Sequence, residues 1–340
     1  MSIKNTLVLP LIAAAVVSSA HADRSDVRRA VVRARASGVL HGSVLAGSAD
    51  RPVRTSKGSI AEPDGDDIDA DTRFRIASLT KLFTQVAALR LAKSGRLNLD
   101  APVGAYRPEL QAPWKDTVTI RQLLAMTSGL PRELNGSPER GVEYDDAGLA
   151  GAYLDAHAGI ALESDPGTRS AYSNLGYWLV GAAIEAVTGK SYVDAVNELV
   201  LTPLGADPVA LSPMELGADG LAAPHRSGDR GCERAPDYPV DQRYSSGGLV
   251  ASAGQVHAVA VGIFDKEFLG APSVGELFSQ FGTEPEGRIT TVAGMVPGFM
   301  NLVMIDRESE SAVVSLNNCV AEDPNAFMAS VRSIAEELGD

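Results

Sequence analysis

The sequence predicts an α/β protein of the α+β kind: an antiparallel sheet built from both termini, flanked by helices, with a mostly helical region inserted between its halves. Three observations predict it. A strand-length apolar run falls near the start, at Val39 to Ala46, with a weaker partner around Val53 to Ile60, and two more fall near the end, at Phe299 to Ile305 and Ala312 to Leu316. Between them, apolar residues recur at three and four, the spacing of one helix face. The chain has 340 residues, 45% hydrophobic and 21% charged, enough to bury a sizeable core in one or two domains.

The first segment is an export signal by pattern. Thr6 to Ala20 is apolar after a start carrying only Lys4, and Ala20-His21-Ala22 has the small-x-small form of a cleavage site. The run is shorter than the roughly 20 apolar residues a spanning helix needs, so cleavage is expected over an anchor, leaving no membrane span. Cleavage removes only Lys4 among the charges and takes the formal net charge from −13 to −14. An acidic surface repels phosphate backbones, and no basic run interleaved with aromatics occurs, which argues against nucleic acid as a partner. Export places the only two cysteines, Cys232 and Cys319, in an oxidising compartment. Whether they pair is not legible from their spacing.

In chain order, Ser25 caps a helix through Val27, Val31 and Ala34 that Gly38 stops. The first strand follows, and Gly47 to Asp50 turns it into the second. The acidic run Asp64 to Asp71 lacks the Gly-x5-Glu ending of a calcium loop and reads as a solvated turn. A helix is expected over Ala77 to Ser94, ended by Gly95. Thr119-Ile120-Arg121-Gln122 has the form of a capping box, and Leu179, Ala183, Ile184 and Val187 mark a buried helix face stopped by Gly189. Ser212 to Val240, rich in Gly, Pro and charge, is expected as a long loop. After the two late strands, separated by the turn Asp306 to Glu310, a final helix starts at Asp323-Pro324 and carries Phe327, Val331, Ile334 and Leu338.

Two short patterns carry chemistry. A serine hydroxyl must lose its proton to a base as it attacks. Ser78-Leu79-Thr80-Lys81 supplies both partners, because i and i+3 share a helix face. Burial or neighbouring cations would lower the lysine pKa and let Lys81 act as that base. No other lysine in the chain has a serine three positions before it. Tyr172-Ser173-Asn174 is the only Tyr-x-Asn, and in an extended segment its first and third residues face the same way. A phenol there can relay protons, and a carboxamide can hold both a lysine and a substrate amide.

Around these patterns the chain resembles the class C beta-lactamase-like superfamily of serine beta-lactamases and penicillin-binding proteins. The resemblance runs in order through Phe74 to Lys81, Leu97 to Val103, Thr119 to Pro131, Ala171 to Gly176, Thr188 to Tyr192, Thr202 to Gly205, Ser246 to Leu249 and Val296 to Phe299. It implies a beta-lactamase/transpeptidase-like fold and an acyl-enzyme mechanism. Ser78 attacks, Tyr172 helps protonate the leaving group and activate water, Asn174 and Gly294 line the substrate site, and the backbone N–H groups of Ser78 and Met295 form the oxyanion hole. The division it implies is a signal peptide over 1–22 and a catalytic region over 23–340. Residues 23–76 and 285–340 then carry the sheet, and 77–284 form the mostly helical part.

One element departs from the pattern. Where the family usually has Lys-x-Gly or His-x-Gly, this chain has Val292-Ala293-Gly294, so the cation that greets a substrate carboxylate is missing. Arg288 and His225 are the candidates to replace it. Without it the sequence favours an exported (periplasmic or secreted) esterase-like hydrolase acting on a small-molecule or peptide-like substrate, with weak beta-lactam turnover. The alternatives are a beta-lactamase, a D-amino-acid peptidase or carboxypeptidase, an acyltransferase, and a non-catalytic penicillin-binding receptor. The histidines show no ligand spacing and no Gly-x-Ser-x-Gly elbow occurs, so neither a metal or other cofactor nor an α/β-hydrolase nucleophile is expected.

Overall fold

The computed structural model describes residues 24–36, 38–56, 68–69, 71–132, 159–211, 220–228, 231–236, 244–280 and 287–339. The expected export signal lies outside these, as does most of the acidic run Asp64 to Asp71. Among the described residues no helix is long and apolar enough to cross a membrane.

The main sheet is antiparallel and joins the two ends of the chain, as expected. Strands β1 (Gly42–Gly47) and β2 (Val53–Ser56) form one side of it; β7 (Ile289–Val296), β8 (Phe299–Asp306) and β9 (Ser311–Asn317) form the other. The order is β2-β1-β9-β8-β7, so β1 joins the halves by pairing with β9, Gly42 opposite Asn317 and Gly47 opposite Ala312. Side chains alternate across a pleated strand, and both faces of these strands are covered. On β8, Met300, Leu302 and Met304 face helices α1 (Arg24–Ala36) and α9 (Pro324–Gly339), where Val27, Val31, Phe327, Val331 and Ile334 are buried with them. Phe299, Val303 and Ile305 face the larger core on the other side. That double burial is why these strands read as unbroken apolar runs.

The local signals acted largely where they were expected. Asp323 Oδ1 accepts from the N–H groups of Asn325 and Ala326 and caps α9, with Pro324 at its first position. The turn between β8 and β9 is closed by Asp306 Oδ1, which accepts from Glu308 N and Ser309 N. Among the described residues the first helix runs from Arg24, and the Ser25 hydroxyl accepts from Arg29.

The middle of the chain is mostly helical. A 3-10 turn (Ala77–Leu79) runs into α2 (Thr80–Lys93), which is buried nearly all round, with Leu82, Phe83, Val86, Ala87, Leu89 and Leu91 at most 1% exposed. The sequence showed one apolar face; a helix covered on every side belongs at the centre of the core. Helix α3 (Ile120–Leu124) carries the expected capping box, with Gln122 N donating to Thr119 Oγ1 and Thr119 N to Gln122 Oε1. Helix α4 (Asn174–Thr188) ends at Gly189, in the left-handed region at φ 69°. Helices α5 (Tyr192–Val196), α6 (Tyr244–Gly247), α7 (Ala253–Gly262) and α8 (Ala271–Gln280) follow, and α7 packs on β1 and β9.

Two features depart from expectation. Ser212 to Val240 is not simply a loop: it contains the hairpin β4 (His225–Gly228) and β5 (Gly231–Arg234), to which β10 (Cys319–Val320) adds in parallel beside β4. Short polar strands of four residues carry no apolar alternation, so composition alone reads them as loop. The pairing left open by the sequence is made, with Cys232 bonded to Cys319 at a Cα–Cα distance of 6.0 Å, tying the hairpin to the end of the sheet. A further pair, β3 (Arg73–Arg75) and β6 (Val250–Ser252), leads the chain into the 3-10 turn.

Candidate active site

Ser78 stands in the 3-10 turn, presented by a strained backbone. Ala77, the residue before it, has φ 50° despite its Cβ, a left-handed conformation that costs about 1–3 kcal/mol and persists only where surroundings over-determine it. Those surroundings are visible. Ile76 N donates to Leu249 O, Leu79 N to Ile76 O, and Leu249 N to Thr80 Oγ1, so the turn is pinned to the stretch after α6.

Lys81, the second residue of α2 and one turn beyond Ser78, is only 3% exposed. Its Nζ donates to Ser246 O at 2.6 Å and Asn174 Oδ1 at 2.8 Å, and lies 3.4 Å from Ser78 Oγ. A buried ammonium is tolerated only when its donors are met; here a backbone carbonyl and a carboxamide oxygen meet two of them. The same nitrogen is 4.8 Å from the Tyr172 ring centroid and 5.3 Å from that of Tyr177. Tyr172 OH in turn lies 2.8 Å from Ser78 Oγ, nearer than the lysine.

Tyr172 and Asn174 straddle Ser173, the N-cap of α4, whose extended backbone (φ −136°, ψ 118°) turns them to one side. Ser173 Oγ accepts from Gly176 N and donates to Pro131 O, and Asn174 N donates to Arg132 O. Further back, Ala171 N donates to Met126 O and Gly167 N to Thr127 O. The Thr127 to Arg132 segment is thus zipped along the strand-like run into α4. Behind the lysine, Trp178 Nε1 donates to Ser246 Oγ. Burial holds Tyr177 far above the usual tyrosine range, with the charge of Tyr172 adding to it, and its hydroxyl donates to Leu124 O.

Strand β7 closes the other side. It is an edge strand, and Gly294 rests against the 3-10 turn: a Cβ there would overlap Ile76 O and come within 3.0 Å of Leu79 N and 3.1 Å of Ser78 N. Only glycine allows that approach. Pro297-Gly298 forms a two-residue turn, with Val296 opposite Phe299 and Met295 opposite Met300. Hydrogen-bonded pairs alternate along an antiparallel ladder, so the Met295 N–H faces the open edge beside Ser78 while its side chain is 60% exposed.

A sequence model of the Beta-lactamase family matches residues 27–324. The chain belongs to that family. It is 38% identical over 136 residues to Protein flp of Staphylococcus aureus, an alignment covering 39% of this chain and 27% of the relative, so this chain spans about a quarter of that protein's length. Its fold is that of EstCE1, described as a hydrolase with promiscuous acyltransferase activity (TM-score 0.73, 20% identity, 93% of this chain and 98% of the other). The D-amino acid amidase of Ochrobactrum anthropi is as similar (TM-score 0.73, 20% identity, 92% and 98%).

All six residues singled out from the sequence, Ser78, Lys81, Tyr172, Asn174, Gly294 and Met295, therefore lie around one point. The two candidates for the missing cation do not serve. Arg288 sits at the far end of β7 from Met295 and forks both Nε and Nη2 onto Asp306 Oδ2, at 2.9 and 2.7 Å. Burial pushes Asp306 up, but this bond and the turn N–H groups hold it below the usual carboxylate range. His225 is 8% exposed with Nδ1 against Ala223 O, and burial, with help from Arg234, pushes it below the usual imidazole range, which disfavours the cation. Val292 itself is buried in the apolar core at 7% exposure. Two groups in the site escaped sequence reasoning. Ser246 contributes a backbone carbonyl, which has no residue-type signature. Arg132 places its guanidinium 5.0 Å from the Tyr172 ring centroid; its signal was only its position after the Thr119 to Pro131 motif.

Proposed function

We propose that this chain is an exported serine hydrolase that acts through an acyl-enzyme on neutral esters or amides, with Ser78 as the nucleophile. The observation that carries the reading is the 2.8 Å separation of Tyr172 OH and Ser78 Oγ, with Lys81 Nζ 3.4 Å from the same oxygen. The sequence favoured Lys81 as base; the shorter distance favours Tyr172, ionised and held beside the Lys81 ammonium, as the immediate acceptor.

As the bond from Ser78 Oγ to the substrate carbonyl forms, the serine proton passes to Tyr172. Collapse breaks the bond to the leaving alcohol or amine, which takes that proton from Tyr172. Water then attacks the acyl ester and gives a proton to Tyr172, which returns it to Ser78 Oγ as the acid departs. In both halves the Ser78 and Met295 N–H groups receive the developing oxyanion, each such donor being worth about 3 kcal/mol. Asn174 orients Lys81 and offers its amide N–H to the substrate.

The preference for uncharged substrates rests on Val292. A carboxylate there loses a charge-assisted hydrogen bond worth about 1.5–3 kcal/mol, so p-nitrophenyl esters should turn over faster than nitrocefin. The apolar leader and the Cys232–Cys319 bond support export, because disulfides persist in oxidising compartments. The likeness to EstCE1 and to an amidase supports ester or amide chemistry. The test is to react the mature protein with a fluorophosphonate probe and a fluorescent penicillin, then map the adduct. Labelling at Ser78 by the fluorophosphonate, abolished in Ser78→Ala and weak with the penicillin, is the expected result. Equal or faster penicillin acylation would favour a beta-lactamase or peptidase, and no adduct with either a receptor.

A further inference from the structure

The site has a charge problem that the usual third element does not solve here. A phenolate base needs cations near it, yet Val292 is apolar, Arg288 is committed to Asp306 and burial disfavours the cationic form of His225. The structure brings up a different cation. Arg132 lies directly after the Thr127 to Pro131 segment, its carbonyl accepts from Asn174 N at 3.0 Å, and its guanidinium lies over the Tyr172 ring, 5.0 Å from the centroid. Its backbone is thus fastened to the Tyr-x-Asn element itself, and its charge stands one tyrosine ring away from Ser78 Oγ.

We infer that Arg132 is a positioning residue that supplies the missing positive charge from the Tyr172 side of the site, orienting the ring and holding Tyr172 as the phenolate base. The inference rests on the Ser78, Tyr172 and Lys81 reading above. The titratable groups set against Tyr172 include Lys81 from α2, Tyr177 from α4 and Arg132 from the segment before α4. Tyr177 stays neutral, since burial disfavours its ionisation and its proton is given to Leu124 O. The ring therefore has one buried cation 4.8 Å and one exposed cation 5.0 Å from its centroid. A guanidinium does not deprotonate in water, so its effect is constant across any assay pH. Because Arg132 is exposed, salt should screen it where it cannot screen Lys81. Stacking also fits a planar guanidinium better than an ammonium, which lacks a face to lay on the ring. The division of labour explains how a site without the third-element cation can keep its base while losing its carboxylate recognition.

The experiment is the pH profile of kcat/KM for an uncharged p-nitrophenyl ester, with wild type, Arg132→Gln and Arg132→Lys. The acidic limb reports protonation of the free enzyme's base. Removing a cation raises that base's pKa, so the limb in Arg132→Gln should move to higher pH by about half to one unit, the effect of one partly exposed charge at this range. KM should stay within about twofold while kcat/KM at pH 6 falls about three- to tenfold, as that shift requires. Arg132→Lys should recover part of the shift. Raising the salt to about 1 M should move the wild-type limb toward that of Arg132→Gln and leave the variant where it is. Coincident limbs in wild type and Arg132→Gln would overturn the inference, as would a change confined to the KM of an anionic ester, which would make Arg132 a substrate contact. If wild type takes no fluorophosphonate at Ser78, the reading of the site fails first, and the inference with it.

Discussion

Gly294→Ala tests the geometry of the oxyanion hole with a single methyl group. The added Cβ would overlap Ile76 O and lie 3.0 Å from Leu79 N and 3.1 Å from Ser78 N. Carbon against carbonyl oxygen needs about 3.3 Å or more, so β7 must retreat from the 3-10 turn by several tenths of an ångström to about 1 Å. The turn itself cannot yield easily, since Ala77 already has φ 50° and its neighbours are pinned to Leu249. Overpacking of this kind costs about 1–3 kcal/mol of stability, which leaves the protein folded but lowers its Tm by a few degrees. The rate should suffer far more. Retreat of β7 carries the Met295 N–H away from the oxyanion, and loss of one such donor costs about 10²–10³ in kcat. A displacement near 1 Å alone costs about 10². The assay is steady-state hydrolysis of p-nitrophenyl acetate beside thermal unfolding. A Gly294→Ala enzyme that retains a third of wild-type kcat, at any Tm, would refute the argument that this close approach builds the site.

The remaining predictions probe other links. Tyr172→Phe should keep the fold, because the ring still packs beside Lys81 and Arg132, but lower kcat about 10²–10⁴-fold by removing the proton acceptor; a loss under tenfold would return the base role to Lys81. Reducing the Cys232–Cys319 bond, which closes 87 residues of chain, should cost about 2–4 kcal/mol. Thermal unfolding with and without reductant, and of Cys232→Ser, checks this, and native protein that already titrates with two thiols would contradict it. His225 is held below its usual range by burial, so between its folded pKa and the unfolded value of about 6.5 the unfolded chain binds more protons. Stability therefore falls as pH drops below about 6.5. His225→Gln should flatten that slope in Tm measured from pH 8 to 5, and parallel slopes would refute it.

How much of this was written locally can be judged residue by residue. The capping box at Thr119 and Gln122, the Gly189 stop and the Asp323-Pro324 start were legible because each motif is satisfied by its own neighbours within four residues. The edge-strand alternation of β7 and the four-residue polar strands β4 and β5 were not, since short strands take their identity from what they pair with. The Ser78, Lys81, Tyr172 and Asn174 set was readable as types and spacing, and the resemblance added Gly294 and Met295. Arg132 and the Ser246 carbonyl were invisible: an arginine in a loop and a backbone oxygen have no pattern.

The sequence by itself determined the sheet from two termini, the helical insertion and the residues able to carry serine chemistry, because hydrophobic period, helix caps and the ordered family motifs are properties of short stretches. Only the tertiary structure decided which oxygen stands nearest Ser78, that Val292 turns into the core, that Arg288 is spent on Asp306, and that Arg132 lies on Tyr172. The physical reason is range. Hydrogen bonds and charge effects act over a few ångströms between groups 94 positions apart for Ser78 and Tyr172, or 165 for Lys81 and Ser246, and only the packed core brings such groups that close.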